Sequence, residues 1–170
     1  MINEVITHQI EPLTLQGPTG ELNQLILQER GSLICIHQGD ENFVDSLRQI
    51  LAALLTGNLI IHISNSDYNF SNHINDSNLN LVYQRVAIND ESYLQDCLSS
   101  EHLAGIAASV PDPFLQWLDR VLSQREGSIL PLILENSGPT LMQRFVLEKS
   151  VSTNTTASGG NTTLLAMADE

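Results

Sequence analysis

Apolar positions along this chain change their spacing several times, from short continuous runs to a helical period and back. Residues 22–28 and 32–37 (SLICIH) read as two strands separated by Arg30-Gly31. Asp40 then stands where it can cap a helix, and Phe43, Val44, Leu47, Ile50, Leu51, Leu54 and Leu55 recur as one wide stripe at helical spacing. Gly57 supplies a stop for that helix. Residues 59–63 (LIIHI) follow as a mostly apolar run of the kind buried inside a parallel sheet. Strand, helix and strand in this order make a βαβ unit, for which a right-handed crossover is expected.

The alternation continues downstream. Residues 64–78 are rich in Asn, Ser and Asp and read as a surface loop. A strand is predicted over 79–86, and a short helix from Asp90 to Leu98 turns Tyr93, Leu94 and Cys97 inward. Residues 103–108 form a small-residue strand. Pro113 suits the start of a helix whose inward stripe is Phe114, Leu115, Trp117, Leu118, Val121 and Leu122. A last strand is predicted over 129–134. The turn at Ser137-Gly138-Pro139-Thr140 leads into residues 141–147, to which the pattern assigns no type. At the other end, residues 1–21 read as an entry arm closing on the turn Gly17-Pro18-Thr19-Gly20.

Strands alternating with helices predict an α/β fold, with an open, mostly parallel, Rossmann-like sheet covered by helices on both faces. Length allows one domain with a substantial core, assigned to residues 1–149, and a separate tail over 150–170. The formal charge of −13, with only seven cationic residues, excludes nucleic acid and an anionic membrane as expected partners, because both need clustered Lys and Arg. Cys35 and Cys97 form no spaced framework, which points to a reducing cytoplasm. Met1 is followed by polar and acidic residues, so no secretion signal is expected, and no run approaches membrane-spanning length.

The segment 150–167, SVSTNTTASGGNTTLLAM, is almost free of charge and ends on an apolar run. Two readings stand side by side: a frayed terminus, or a segment that docks on another surface. Small hydroxyl and amide side chains bind nearby backbone, and Gly159-Gly160 permits close approach.

Candidate chemistry changes this picture little. A phosphate-binding turn after the first parallel strand needs glycines and a helix N-terminus open to an anion. The chain offers His37-Gln38-Gly39-Asp40-Glu41-Asn42, one glycine followed by two carboxylates that satisfy the helix dipole themselves. Cys35 sits within an apolar strand and Cys97 on the inner side of a helix, so both read as packing residues rather than nucleophiles. His37 and His62 fall near the carboxyl ends of neighbouring strands, a common ligand position, without a glycine-rich partner loop. The five histidines show no metal-ligand spacing, and the acidic residues are scattered. No catalytic, cofactor-binding or metal residue is assigned.

The tail carries a resemblance. Asn154, Thr155, Ala157, Gly159, Gly160, Asn161 and Leu164 match the C-terminal signature of the proline utilization A family, as does the approach Leu147-Glu148-Lys149-Ser150, with Lys149 in place of an Arg. Thr156, Ser158 and the ending Leu165-Ala166-Met167 depart from the signature. Near the other end, Gly17-Pro18-Thr19-Gly20-Glu21 with Asn23 resembles the start of that family's terminal domain. The family joins a flavin-dependent proline dehydrogenase to an NAD-dependent glutamate semialdehyde dehydrogenase. The resemblance implies a non-catalytic domain of aldehyde dehydrogenase-like fold, with FAD and NAD held elsewhere in a bacterial, cytoplasmic parent chain. It implies a lid over the cavity that carries the semialdehyde between sites, partnered by the aldehyde dehydrogenase domain of the same chain. Docking would rest on Asn154, Thr155, Gly159, Gly160, Asn161, Leu164 and Met167. The alternatives are a free-standing α/β enzyme or nucleotide-binding protein using the strand ends at His37 and His62, and an oligomerisation module whose tail pairs with a second copy.

Overall fold

The computed structural model describes residues 11–66, 83–87 and 91–155. Two compact units emerge, one within Glu29–Val146 and the other built from the described residues 11–28 together with 147–155.

The larger unit holds a five-stranded parallel sheet. Its strands are β3 (Ser32–His37), β4 (Leu59–Ser64), β5 (Tyr83–Ala87), β6 (Leu103–Ser109) and β7 (Leu132–Ile133), in spatial order β5-β4-β3-β6-β7. Three helices accompany them: α1 (Phe43–Leu55), α2 (Glu91–Ser99) and α3 (Asp112–Ser123). This is the α/β, Rossmann-like architecture predicted from the alternation of periods. β3, at the centre of the sheet, is deeply buried, with Leu33 to His37 all withdrawn from solvent, as its apolar sequence requires.

Successive residues of β3 point to opposite faces, and the two faces build separate cores. Leu33 and Cys35 join Ile60, Ala107 and Ile133 beneath Ile50, Ala52 and Ala53 of α1, with Leu141 and Phe145 completing the layer. Ile34 and Ile36 join Ile63, Ile106 and Ala108 beneath Leu94 and Leu98 of α2 and Leu118 of α3. Each fully buried Leu, Ile or Phe side chain among them contributes about 1.5–3 kcal/mol. Helices thus cover both faces. Gly105 makes the first face fit: a Cβ there would stand 3.1 Å from Leu33 Cδ2 and 3.1 Å from Pro131 Cγ.

Several expectations are corrected in detail. Only part of the apolar stripe of α1 faces the core: Ile50 is buried there and Leu54 packs against it. Ser46, Gln49, Ile50, Ala52 and Ala53 are buried, whereas Val44, Leu51 and Leu55 are 54, 41 and 40% exposed. Small residues bring the helix close to the sheet, which rotates the larger leucines outward. Asp40 does not cap α1. It opens a short 3-10 turn (Asp40–Asn42), and its Oδ1 accepts the Ser66 hydroxyl at 2.6 Å. Tyr93 is half exposed, whereas Leu94 and Cys97 turn inward as expected, joined by Leu98. The last parallel strand contracts to Leu132–Ile133, with Ile129 almost wholly exposed. Residues 67–78 of the predicted loop, and 79–82 of the following strand, lie outside the described residues.

The untyped segment 141–147 resolves into a 3-10 turn (Met142–Phe145) leading directly into a strand. Phe145 is completely buried. Behind it, Asn58 forms a junction. Its Oδ1 accepts the N–H groups of Arg30 (2.8 Å) and Gly31 (3.0 Å). Its Nδ2 donates to the carbonyls of Ala53 (3.2 Å) and Phe145 (2.9 Å) and to Thr56 Oγ1 (2.9 Å). One amide thus ties the end of α1, the start of β3 and the turn at Phe145.

The smaller unit is a three-stranded sheet in the order β1-β2-β8, made of β1 (Leu13–Leu15), β2 (Glu21–Glu29) and β8 (Val146–Asn154). β1 runs antiparallel to β2. The N–H of Thr155 donates to the Gly20 carbonyl at 2.8 Å, so the end of β8 meets the start of β2. Most of its residues are exposed or half-buried.

Candidate functional site

In an open α/β sheet, ligands favour the carboxyl ends of strands where the strand order reverses. Here the chain builds β4 and β5 on one side of β3 and β6 and β7 on the other, so the reversal lies between the ends of β3 and β6. That crevice is filled by Gln49 of α1. Its Nε2 faces the carbonyls of Glu135 (3.1 Å), Ile133 (3.3 Å) and Ala108 (3.4 Å), while its Oε1 accepts the Ser109 hydroxyl at 3.0 Å. The N–H of Gln38 donates to the Ser109 carbonyl at 3.2 Å, closing the same gap along the backbone. At its outer edge, Asn136 Nδ2 donates to Asp45 Oδ2 at 2.7 Å, and Asp45 Oδ1 pairs with Arg48 at 3.0 Å.

On the other side of β3, the two strand-end histidines meet. Residues 35, 37, 62 and 64 share one face of the sheet, since Cys35 pairs with His62 and His37 with Ser64. His37 Nδ1 lies 3.1 Å from His62 Nε2, the rings stacking at 5.4 Å between centroids and 17° between planes. Phe43, at the start of α1, closes over His37 with ring centroids 6.0 Å apart. Both histidines are buried. Which ring donates and which accepts depends on the tautomer. Beside them the Ser66 N–H donates to Ser64 Oγ at 3.0 Å.

The turn between β3 and α1 places its single glycine at φ 79°, in the left-handed region. A Cβ on Gly39 would fall against the carboxylate oxygens of Glu41. The Gly39 N–H donates to Asn65 Oδ1 at 3.3 Å, and Asn42 Nδ2 to the Gln38 carbonyl at 2.7 Å. The turn is therefore held by Asn42 from within and by Asn65 and Ser66 beyond β4, with Asp40 and Glu41 in its first turn.

Burial pushes the Cys35 thiol up to about 12, so the protonated, unreactive form prevails at neutral pH. Cys97 is half-buried, and a hydrogen bond with it, then its charge, then desolvation, raise the neighbouring Tyr93 phenol. Among the described residues, no group of three or more His, Cys, Asp or Glu is placed to hold a metal ion. No helix among them is long and apolar enough to cross a membrane.

Of the tail residues singled out in the sequence, Asn154 closes β8, and Thr155 follows it with its bond to Gly20. Gly159, Gly160, Asn161, Leu164 and Met167, and Ala157 of the signature, lie outside the described residues. Sequence reasoning missed Gln49 and Asn58. A Gln interrupting an apolar helical face, and an Asn just after the helix-stopping glycine, are the signals that could have found them.

No family model matches the chain. The bifunctional protein PutA of Salmonella typhimurium is 26% identical to it over 155 residues, which is 90% of this chain and 11% of the relative. Its counterpart from Escherichia coli is 24% identical over the same length. The chain thus spans about a ninth of the curated relatives it matches. Among solved structures, a mutant of proline utilization A from Bradyrhizobium japonicum superposes with a TM-score of 0.62 at 22% identity, over 79% of this chain and 14% of that one. An NAD-dependent benzaldehyde dehydrogenase from Corynebacterium glutamicum gives 0.58 at 16% identity, over 75% and 29%. In sequence and in fold, the chain is similar to a proline utilization A/aldehyde dehydrogenase-like domain.

Proposed function

We propose that this chain is a non-catalytic domain of a bifunctional proline-catabolic polypeptide. In that reading it acts as a lid over the cavity through which the semialdehyde passes, and supports the aldehyde dehydrogenase site. The observation that carries the reading is similarity across nine tenths of the chain to proteins named bifunctional protein PutA. The switch-point crevice adds support. A dinucleotide pyrophosphate brought there would meet Gln49 in the gap and the carboxylates of Asp40 and Glu41 at the turn. These residues do not fit that cofactor, and FAD and NAD belong to the remainder of the polypeptide.

A lid makes chemical sense because a reactive aldehyde survives transfer only where bulk water is kept out. A low-charge strand that pairs with a sheet edge can close such a cavity, and the uncharged residues 150–168 have the composition for it. The partner is the aldehyde dehydrogenase domain of the same polypeptide, working in the bacterial cytoplasm. Deleting residues 150–170 from that polypeptide is expected to spare proline oxidation and to lower semialdehyde oxidation at least tenfold. Unchanged oxidation of both substrates would overturn the reading.

The buried His37–His62 pair favours a second reading, a free-standing nucleotide-binding protein using these strand ends. Calorimetry with NAD, NADP and ATP separates the two, since micromolar binding to the chain alone is expected only in the second.

A further inference from the structure

The paired histidines at the carboxyl ends of β3 and β4 limit how many protons this end of the sheet can hold. His37 Nδ1 and His62 Nε2 stand 3.1 Å apart, and the two residues are 0 and 1% exposed. A hydrogen bond between two ring nitrogens needs one of them bare, whereas an imidazolium carries N–H on both nitrogens. Whichever tautomer holds, the contact therefore accepts one charged ring at most. Two would set N–H against N–H and place like charges side by side out of water. The pair also lies where the β3–α1 turn is tied to the end of β4. Phe43 closes over His37, the Gly39 N–H reaches Asn65 Oδ1 at 3.3 Å, and Asp40 Oδ1 accepts the Ser66 hydroxyl at 2.6 Å.

We propose that the His37–His62 pair is an acid-sensitive latch, which holds the β3–α1 turn against β4 above the ordinary imidazole range and releases it below. The unfolded chain offers two independent imidazoles, each titrating near the ordinary value of about 6.5. As pH falls it therefore binds at least one proton more than the closed pair, and the closed state loses stability. The charged groups around the pair do not change that count. Cys35, on the same face of β3, is held protonated by burial. The turn contributes Asp40, already bonded to Ser66, and Glu41. On α1, Asp45 is engaged by Arg48 and Asn136. β5 sets Arg85 opposite His62 in the register, and β6 sets Ser109, which does not titrate, opposite His37. The latch belongs to the chain itself, whatever longer polypeptide carries it.

Urea unfolding between pH 7.5 and 5.0, a window above the ordinary carboxylate values of about 4, tests the latch. The comparison is a His37→Gln, His62→Gln double variant, whose two amides can still bond to each other. Acidification also relieves the formal charge of −13, which acts in the opposite direction, but it does so in both proteins. Over this window the unfolding constant of the parent is expected to rise at least tenfold more than that of the variant. Equal pH dependence in the two overturns the proposal. Hydrogen exchange decides the matter should the variant fail to fold. Protection over residues 38–43 of the parent, corrected for the intrinsic exchange rate, is expected to fall at least tenfold from pH 7.5 to 5.0. Unchanged protection there overturns the latch by itself.

Discussion

Single side chains settle more of this molecule than their number suggests. Asn58 accepts two part-buried backbone N–H groups, and the two hydrogens of its buried Nδ2 are shared among two carbonyls and a hydroxyl. Replacing it with Ala leaves several buried groups unpaired and is expected to cost about 2–4 kcal/mol, read as a lower midpoint in urea unfolding. Cys35 offers a test by pH. Its folded pKa, about 12, lies above the ordinary thiol value, so the native state holds the proton more tightly than the unfolded one. Its contribution is therefore complete below the unfolded pKa and is lost as pH rises toward 12. A Cys35→Ala variant should lose less stability across that alkaline range than the parent, and iodoacetamide at pH 8 should label Cys35 only after unfolding. Equal alkaline losses, or rapid native labelling of Cys35, would contradict this placement.

Secondary-structure elements were legible wherever one period dominated. SLICIH became β3 over the very residues expected, and the Pro113 helix and the 103–108 strand formed within a residue or so. The orientation of α1 was not legible, because apolar residues line both of its sides and periodicity cannot say which side meets the sheet. Packing distance decides it, through Ala52, Ala53 and Ser46. Ile50→Ala is accordingly expected to cost about 2–5 kcal/mol, whereas Leu51→Ala stays within about 0.5 kcal/mol in the isolated chain. Denaturant unfolding of the two variants side by side checks this, and the reverse order would restore the leucine stripe as the core face. The segment at 141–147 was unreadable for a different reason. Its one decisive residue, Phe145, finds its place through Asn58, 87 positions away, and no local window contains both. The candidate site was half legible: His37 and His62 could be placed at strand ends from sequence, but not their approach to 3.1 Å.

At the scale of the whole molecule, twenty acidic residues against seven basic ones leave a net repulsion spread over the surface. Raising sodium chloride from 10 to about 150 mM shortens the Debye length from about 30 to 8 Å, so the melting temperature of the chain should rise by a few degrees. A fall would show that specific ion pairs such as Arg144–Glu135, at 2.9 Å, outweigh the diffuse repulsion. The small sheet adds a kinetic property. Its middle strand precedes the parallel sheet in the sequence, and its neighbour β8 follows it. Joining them closes a loop that contains the entire parallel sheet, an entropic cost met only late. During translation, β2 must therefore wait with one hydrogen-bonding edge open until the strands and helices of the parallel sheet have followed it out of the ribosome. That interval is when a nascent molecule of this kind is most exposed to pairing with the wrong strand.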